Sequence, residues 1–197
     1  KLAIRQETSY PASGTITLHL DPDRPVRLAL ELRLPAWCAK PTATINGESL
    51  LIPEGRTSLA IERQWKSGDR VTLDLPMPWR LVRGRVNQAG KVAIMRGPVV
   101  YCLAPKRHPK LADMDLRLLV LKPDSIATAD GERDFSGAPL CRANAWRPGA
   151  WYPGAKADLE LTLAPFPDPD AEATYFKVPN PHDPATAEDE LFAAQPR

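Results

Sequence analysis

"IERQWKSGDRVTLDLPMPWR", residues 61–80, alternates charged and apolar side chains, turns, alternates again and ends in a proline–tryptophan cluster. Ser67-Gly68-Asp69 is turn chemistry, with Gly68 free to take a positive φ. After it, Val71, Leu73 and Leu75 alternate with Thr72 and Asp74, the two-residue period of a half-buried strand. Before it, Leu59, Ile61 and Arg63 alternate with Ala60, Glu62 and Gln64. The stretch is therefore expected to be a β-hairpin with one apolar face, ended by Leu75-Pro76-Met77-Pro78 because proline cannot continue a central ladder. Trp65, placed directly before the turn, is expected to fill the core beneath it.

The same period recurs outward in both directions. Residues 15–20 alternate until Asp21-Pro22-Asp23 turns the chain. In "VRLALELRL" (26–34), Val26, Leu28, Leu30, Leu32 and Leu34 share one face, and Arg27, Ala29, Glu31 and Arg33 the other. Asn46-Gly47 is a strong short-range hairpin signal. "KVAIMRGPVVYCLAP" (91–105) reads as a buried strand interrupted at Gly97-Pro98, and "LRLLVLKPDSI" (116–126) as a short strand closed by Pro123-Asp124. In "ADLELTLAPF" (157–166), Leu159, Leu161 and Leu163 again share a face. The 22 prolines lie between these runs and argue against long helices. The one helical candidate is "TAEDELFAA" (186–194). Many short strands with frequent turns point to an all-β chain of antiparallel β-sandwiches, two in succession with little helix. The pattern loosens after Gly84, which puts the division in "RVNQAGK" and the domains at residues 1–88 and 89–197. One merged β domain is the alternative.

Composition limits the partners. The chain has 197 residues, 26 Lys plus Arg against 24 Asp plus Glu, and a formal net charge of +2. So balanced a surface implies neither nucleic acid nor a membrane as partner. No apolar run approaches the roughly 20 residues that span a bilayer. The first residues, "KLAIRQETSYP", lack the apolar run of a signal peptide. They also lack an initiating Met and begin within an alternating run, so the chain reads as a piece of a longer protein.

Little in the sequence announces catalysis. Cys38, Cys102 and Cys141 are far apart, without the paired spacing of a disulfide framework or a zinc site. Beside aromatics, Cys38 and Cys102 are expected to behave as small buried hydrophobes. His19, His108 and His182 have no second histidine at ligand spacing, and each is expected to be solvated or structural. A carboxylate pair for glycosidase chemistry has too many combinations to be chosen by sequence. The aromatic cluster of "RANAWRPGAWYPGA" (142–155) supplies candidates for carbohydrate binding: Trp146, Trp151 and Tyr152 in a Pro/Gly-rich loop. Aromatic faces stack on the apolar C–H face of a sugar, although packing beneath the loop is the commoner use of such side chains.

Several ordered motifs carry a resemblance. Trp65-Lys66-Ser67-Gly68-Asp69, Leu75-Pro76-Met77-Pro78, the run from Gly90 to Cys102, and upstream "RQETSYPASGTITLHL", "LELRLPAWC" and "ATINGE" resemble, in the same order, the C-terminal part of glycoside hydrolase family 127, the bacterial β-L-arabinofuranosidases. The resemblance covers roughly residues 1–125. It implies that a complete member has an N-terminal (α/α)₆ catalytic barrel followed by β-sandwiches. It also implies a catalytic cysteine near zinc in that barrel, with cysteine and glutamate ligands. The family's paired-cysteine motif precedes the segment matching Lys1, and Cys38, Cys102 and Cys141 do not match it. The resemblance therefore implies a non-catalytic accessory segment, without metal or cofactor, whose partner is the N-terminal catalytic barrel of its parent. A homo-oligomer contact and a saccharide are further partners to consider, and a free-standing carbohydrate-binding module is the alternative function.

Overall fold

Gly68 takes the positive φ its turn requires, +85°, yet the strands on either side of it do not pair with each other. The computed structural model describes residues 1–188 except 112, 135, 167, 168, 170 and 171. In it the chain divides into two compact units, Lys1–Met77 and Pro78–Arg197.

The first unit holds β1 (Leu2–Thr8), β2 (Thr15–Pro22), β3 (Val26–Arg33), β4 (Thr42–Ile45), β5 (Glu48–Leu50), β6 (Ser58–Trp65) and β7 (Asp69–Asp74). Five of these form one antiparallel sheet in the order β1-β2-β7-β4-β5, and β3 and β6 form a second, two-stranded sheet. The expected hairpin is thus corrected. β6 runs antiparallel to β3, from Val26↔Trp65 to Arg33↔Ser58, whereas β7 lies between β2 and β4. Both edges of β7 are occupied, so the Ser67-Gly68-Asp69 turn carries the chain from one sheet to the other. The two sheets share one core, with Leu20, Val71 and Leu73 from the larger and Leu32, Ile61 and Trp65 from the smaller. Trp65 is fully buried, and its indole N–H donates to the Leu28 carbonyl at 3.1 Å.

Two turns of this unit are tied together. Asn46 and Gly47, both at positive φ, make the expected β4–β5 hairpin with Ile45 opposite Glu48. The Asn46 side chain donates to Asp69 Oδ1 at 2.9 Å and accepts from the Arg70 N–H at 2.8 Å. Asp69 Oδ2 accepts from the Lys66 N–H at 2.8 Å. A buried carboxylate thereby pins the sheet-to-sheet turn to the neighbouring hairpin, which explains the acid at the end of Lys66-Ser67-Gly68-Asp69. Gly14 meets the β7 end so closely that a Cβ there would lie 1.9 Å from the Leu75 carbonyl oxygen.

The second unit holds β8 (Trp79–Arg83), β9 (Lys91–Arg96), β10 (Val99–Leu103), β11 (Val120–Leu121), β12 (Ala127–Arg133), β13 (Pro139–Trp146), β14 (Leu159–Pro165) and β15 (Tyr175–Lys177). Gly97-Pro98 does not interrupt one strand but joins two. β9 and β10 pair as a hairpin with Arg96 opposite Val99, and Gly97 at φ +56° occupies the first turn position. Pairing then continues from β10 to β14, β13, β11, β15 and back to β9, a closed ring of six strands. This unit is therefore a closed barrel, where a sandwich was expected. The closing contact is the parallel pair Val120↔Lys177 between two very short strands. Ile94, Leu161, Leu163 and Phe176 fill the barrel core, each without exposed surface. β8 adds to β9 and β12 to β13 outside the ring. β8 pairs with β9 across the stretch where the sequence pattern loosens, and the compact units divide at Met77 and Pro78. Of the helical candidate, residues 186–188 are not helical, Ala187 bridging to Val82; the remainder lies outside the described residues.

Candidate functional site

The aromatic cluster singled out in the sequence is split by the barrel. Along β13, Cys141, Ala143 and Ala145 face the core, so alternation alone would leave Trp146 outside with Arg142 and Asn144. The β13–β14 connection folds back over it instead: Trp146 is 6% exposed, and its indole N–H donates to the Ala155 carbonyl at 3.2 Å. Trp151 and Tyr152, 38% and 64% exposed, stand on the same connection. Its base is clamped where Arg147 meets Asp158, through Nε–Oδ2 at 2.5 Å and the Arg147 N–H to Oδ1 at 3.1 Å. Two aromatic side chains therefore project from a braced loop while the third supports it.

A second feature had no signal in the sequence beyond the Pro-Trp dipeptide. A groove of about 570 Å³ in the second unit is lined by Trp79, Arg80 and Leu81 of β8, by Pro123, Asp124 and Ile126 after β11, and by Val178, Asn180 and Asp183 after β15. Trp79 is held from two sides. Its N–H donates to Thr128 Oγ1 at 3.1 Å, and its ring meets Tyr101 edge-on with centroids 4.6 Å apart. Tyr101 is itself fixed by donating to the Pro139 carbonyl at 2.8 Å, and burial pushes its phenol up to about 12.

None of the cysteines or histidines lines this groove. Cys38, Cys102 and Cys141 are buried free thiols. Burial raises the Cys38 thiol and pushes Cys141 up to about 12, while Cys102 Sγ donates to the Ala164 carbonyl at 3.2 Å. His19 Nε2 meets Glu7 Oε2 at 3.0 Å across the β1–β2 pair. His108 Nε2 lies 3.0 Å from the Thr162 carbonyl oxygen and 3.2 Å from its amide nitrogen, so the ring covers the edge of β14 just beyond its pairing with β10. The backbone N–H of His182 donates to Asn180 Oδ1 at 3.1 Å. Among the described residues, the carboxyls with displaced titration are held below the ordinary range. Glu7 is lowered by its hydrogen bond with His19 and by Arg5, and Asp69 by its bonds from Asn46 and the Lys66 N–H; Arg117 brings Asp115 to about 2. Among the described residues, no group of three or more His, Cys, Asp or Glu side chains converges as metal ligands do.

This all-β architecture has counterparts among the glycoside hydrolases. Residues 1–77, the whole first unit, match the family model for the β-L-arabinofuranosidase, GH127 middle domain. The resemblance to a C-terminal part is refined accordingly, since the matched region is named for the middle of the family's enzymes. A non-reducing end β-L-arabinofuranosidase of Bifidobacterium longum subsp. longum is 33% identical over 121 residues, covering 55% of this chain and 18% of the relative. The crystal structure of a GH127 β-L-arabinofuranosidase from Geobacillus stearothermophilus T6 superposes with a TM-score of 0.71 at 28% identity, over 90% of this chain and 30% of that one. A further GH127 β-arabinofuranosidase structure, 21% identical, has a TM-score of 0.71 over 95% of this chain and 33% of its own, a likeness of fold. The chain is thus related to the β-L-arabinofuranosidases of glycoside hydrolase family 127. It spans 18% of the curated relative and 30–33% of these two solved chains.

Proposed function

We propose that this chain is the accessory, non-catalytic β segment of a family 127-like glycoside hydrolase. In this reading residues 1–77 form the middle domain, residues 78–197 follow it, and together they brace a catalytic barrel that precedes them in the whole enzyme. The observation that carries the reading is the match of the entire first unit to a domain named for its middle position in that family. The chemistry of the side chains supports it. Glycoside hydrolysis by paired carboxyls needs one acid kept protonated by a raised pKa, a role to which the lowered Glu7, Asp69 and Asp115 are not suited. A thiolate nucleophile needs an exposed thiol with a lowered pKa, and burial displaces Cys38 and Cys141 the other way.

The test has two arms. The purified chain is expected to leave an aryl β-L-arabinofuranoside unhydrolysed, and turnover abolished by replacing one of its own carboxylates overturns the reading. Removing the equivalent segment from the Geobacillus stearothermophilus enzyme is expected to lower its melting temperature and activity; a truncated enzyme as stable and active as the intact one refutes the bracing role. A free-standing carbohydrate-binding module is the second reading, favoured by the exposure of Trp151 and Tyr152 on a clamped loop. It requires saccharide binding without turnover that Trp151→Ala abolishes.

A further inference from the structure

The groove beside β8 differs from the aromatic loop in being concave, and its volume of about 570 Å³ falls in the roughly 300–1,000 Å³ range of small-ligand sites. Its apolar lining is Trp79, Leu81 and Ile126, all half-buried and packed from below against the barrel core. The Trp79 ring is fixed before any ligand arrives by its bonds to Thr128 and Tyr101, which lowers the ordering cost of binding. Opposing chemistry comes from three exposed planar polar side chains, Asp124, Asn180 and Asp183. Asn180 uses its oxygen on the His182 N–H and Asp183 uses Oδ1 on the Ala185 N–H. These local bonds orient both side chains and leave the Asn180 amide as a donor and Asp183 Oδ2 as an acceptor.

The geometry points to a binding site for a neutral sugar ring in this groove, with the C–H face on Trp79, Leu81 and Ile126 and the hydroxyls on Asp124, Asn180 and Asp183. A ligand apolar on one face and rich in paired donors and acceptors at its edge is what these two walls complement. The ligand's neutrality is inferred from the local charges. Asp124 is paired with Lys122 at 3.7 Å, and Arg80, donating to the Gly97 carbonyl at 2.9 Å, shares the lining with Asp183. Asp124 and Asp183 oppose an anionic ligand, and the Lys122 and Arg80 cations beside them oppose a cationic one. The groove thus deepens the accessory reading, on which the choice of test sugar rests, by giving the segment a saccharide contact of its own.

The experiment is a titration of the full chain with methyl β-L-arabinofuranoside, followed by ¹H–¹⁵N NMR. Saturable shifts are expected at the Trp79 indole N–H, Leu81, Ile126 and the Asn180 side-chain amide. Trp79→Ala also strips Tyr101 of its ring partner, so the exposed double variant Asp124→Ala/Asn180→Ala is the cleaner probe. It should weaken binding about tenfold or more, roughly 1.4 kcal/mol, with the melting temperature unchanged. A uronic acid of similar size should bind more weakly. The site is refuted by unsaturable shifts, by shifts confined to Trp151 and Tyr152, by full affinity in the double variant, or by equal binding of the uronate. Hydrolysis of the probe would instead sink the accessory reading, so the two failures are distinguishable.

Discussion

Replacing Trp65 with alanine removes the largest fully buried side chain of the first unit's core, at the end of β6 where the chain crosses to the other sheet. A large aromatic buries about 150–250 Å². At about 25 cal/mol per Å², the transfer contribution is roughly 4–6 kcal/mol, of which the alanine methyl keeps part. The orphaned Leu28 carbonyl and the unfilled volume oppose that saving, which leaves about 3–5 kcal/mol, the range for truncating a buried large aromatic. A unit of this length has a stability of order 0.05–0.15 kcal/mol per residue, so the loss is a large share of the total. With a urea slope of about 1–3 kcal/mol/M, the midpoint of the first unit should fall by about 1 M or more. Urea titration of the full chain reads the change, and amide exchange in β3 and β6 assigns it to the correct unit. Trp65→Phe keeps most of the ring but not the N–H, and should cost about 1–2 kcal/mol. A midpoint unmoved by Trp65→Ala refutes the placement of this side chain in the core.

Asp69→Asn should destabilise the first unit by about 1.5–3 kcal/mol at neutral pH, since a charged acceptor is lost and an amide is set against the Asn46 donor. Because the folded Asp69 titrates below its unfolded value, its contribution is present above about pH 4 and is lost as pH falls through the lowered folded value. Urea midpoints of wild type and variant should therefore converge in acid, and a gap that widens as pH drops would contradict the carboxylate's role. Gly14→Ala should cost about 1–3 kcal/mol by forcing the backbone apart at Leu75, measured by thermal melting; an unchanged melt would remove the close approach. All three thiols should react with a thiol-specific reagent slowly in the native chain and rapidly in denaturant, and fast native labelling of Cys102 or Cys141 would contradict their burial.

Strands were legible in the sequence where their faces differ. The alternation in residues 26–34 becomes β3, with Arg27, Ala29, Glu31 and Arg33 exposed, and that in residues 157–166 becomes β14, with Leu159, Leu161 and Leu163 buried. Partners were less legible, because pairing is not a local property. The turn chemistry of Ser67-Gly68-Asp69 serves a hairpin and a sheet-to-sheet corner equally well. What decides is that β2 and β4 occupy both edges of β7, and no residue in 58–75 carries that information. Closure of the barrel is harder still to read. β11 has two residues and β15 three, too few for any period, and their single parallel pair joins residues 120 and 177. The groove beside β8 was illegible for the same reason, since its lining residues are far apart in sequence. Trp146, Trp151 and Tyr152 are close in sequence, whereas Trp79 bonds Thr128 and shares a groove with Asp124 and Asn180 only through the folded sheet.

The barrel's size also decides where ligand chemistry can reside. Rings of about eight strands are just wide enough for side chains to fill their interior, and this ring has six. Ile94, Leu161, Leu163 and Phe176 are among the fully buried side chains of its core. A ligand of the second unit must therefore meet its outer wall or its connecting loops, where β8 adds an extra strand and the β13–β14 connection stands out from the ring. Those two places carry Trp79 and the pair Trp151 and Tyr152, one set in a concave wall with polar neighbours and the other projecting from a clamped loop. A concave wall surrounds a small ligand and fixes its orientation, whereas a projecting pair contacts a broad surface from one side. On the proposed reading the groove takes a single sugar ring, and on the alternative one the loop stacks on a longer saccharide or packs on a neighbouring domain.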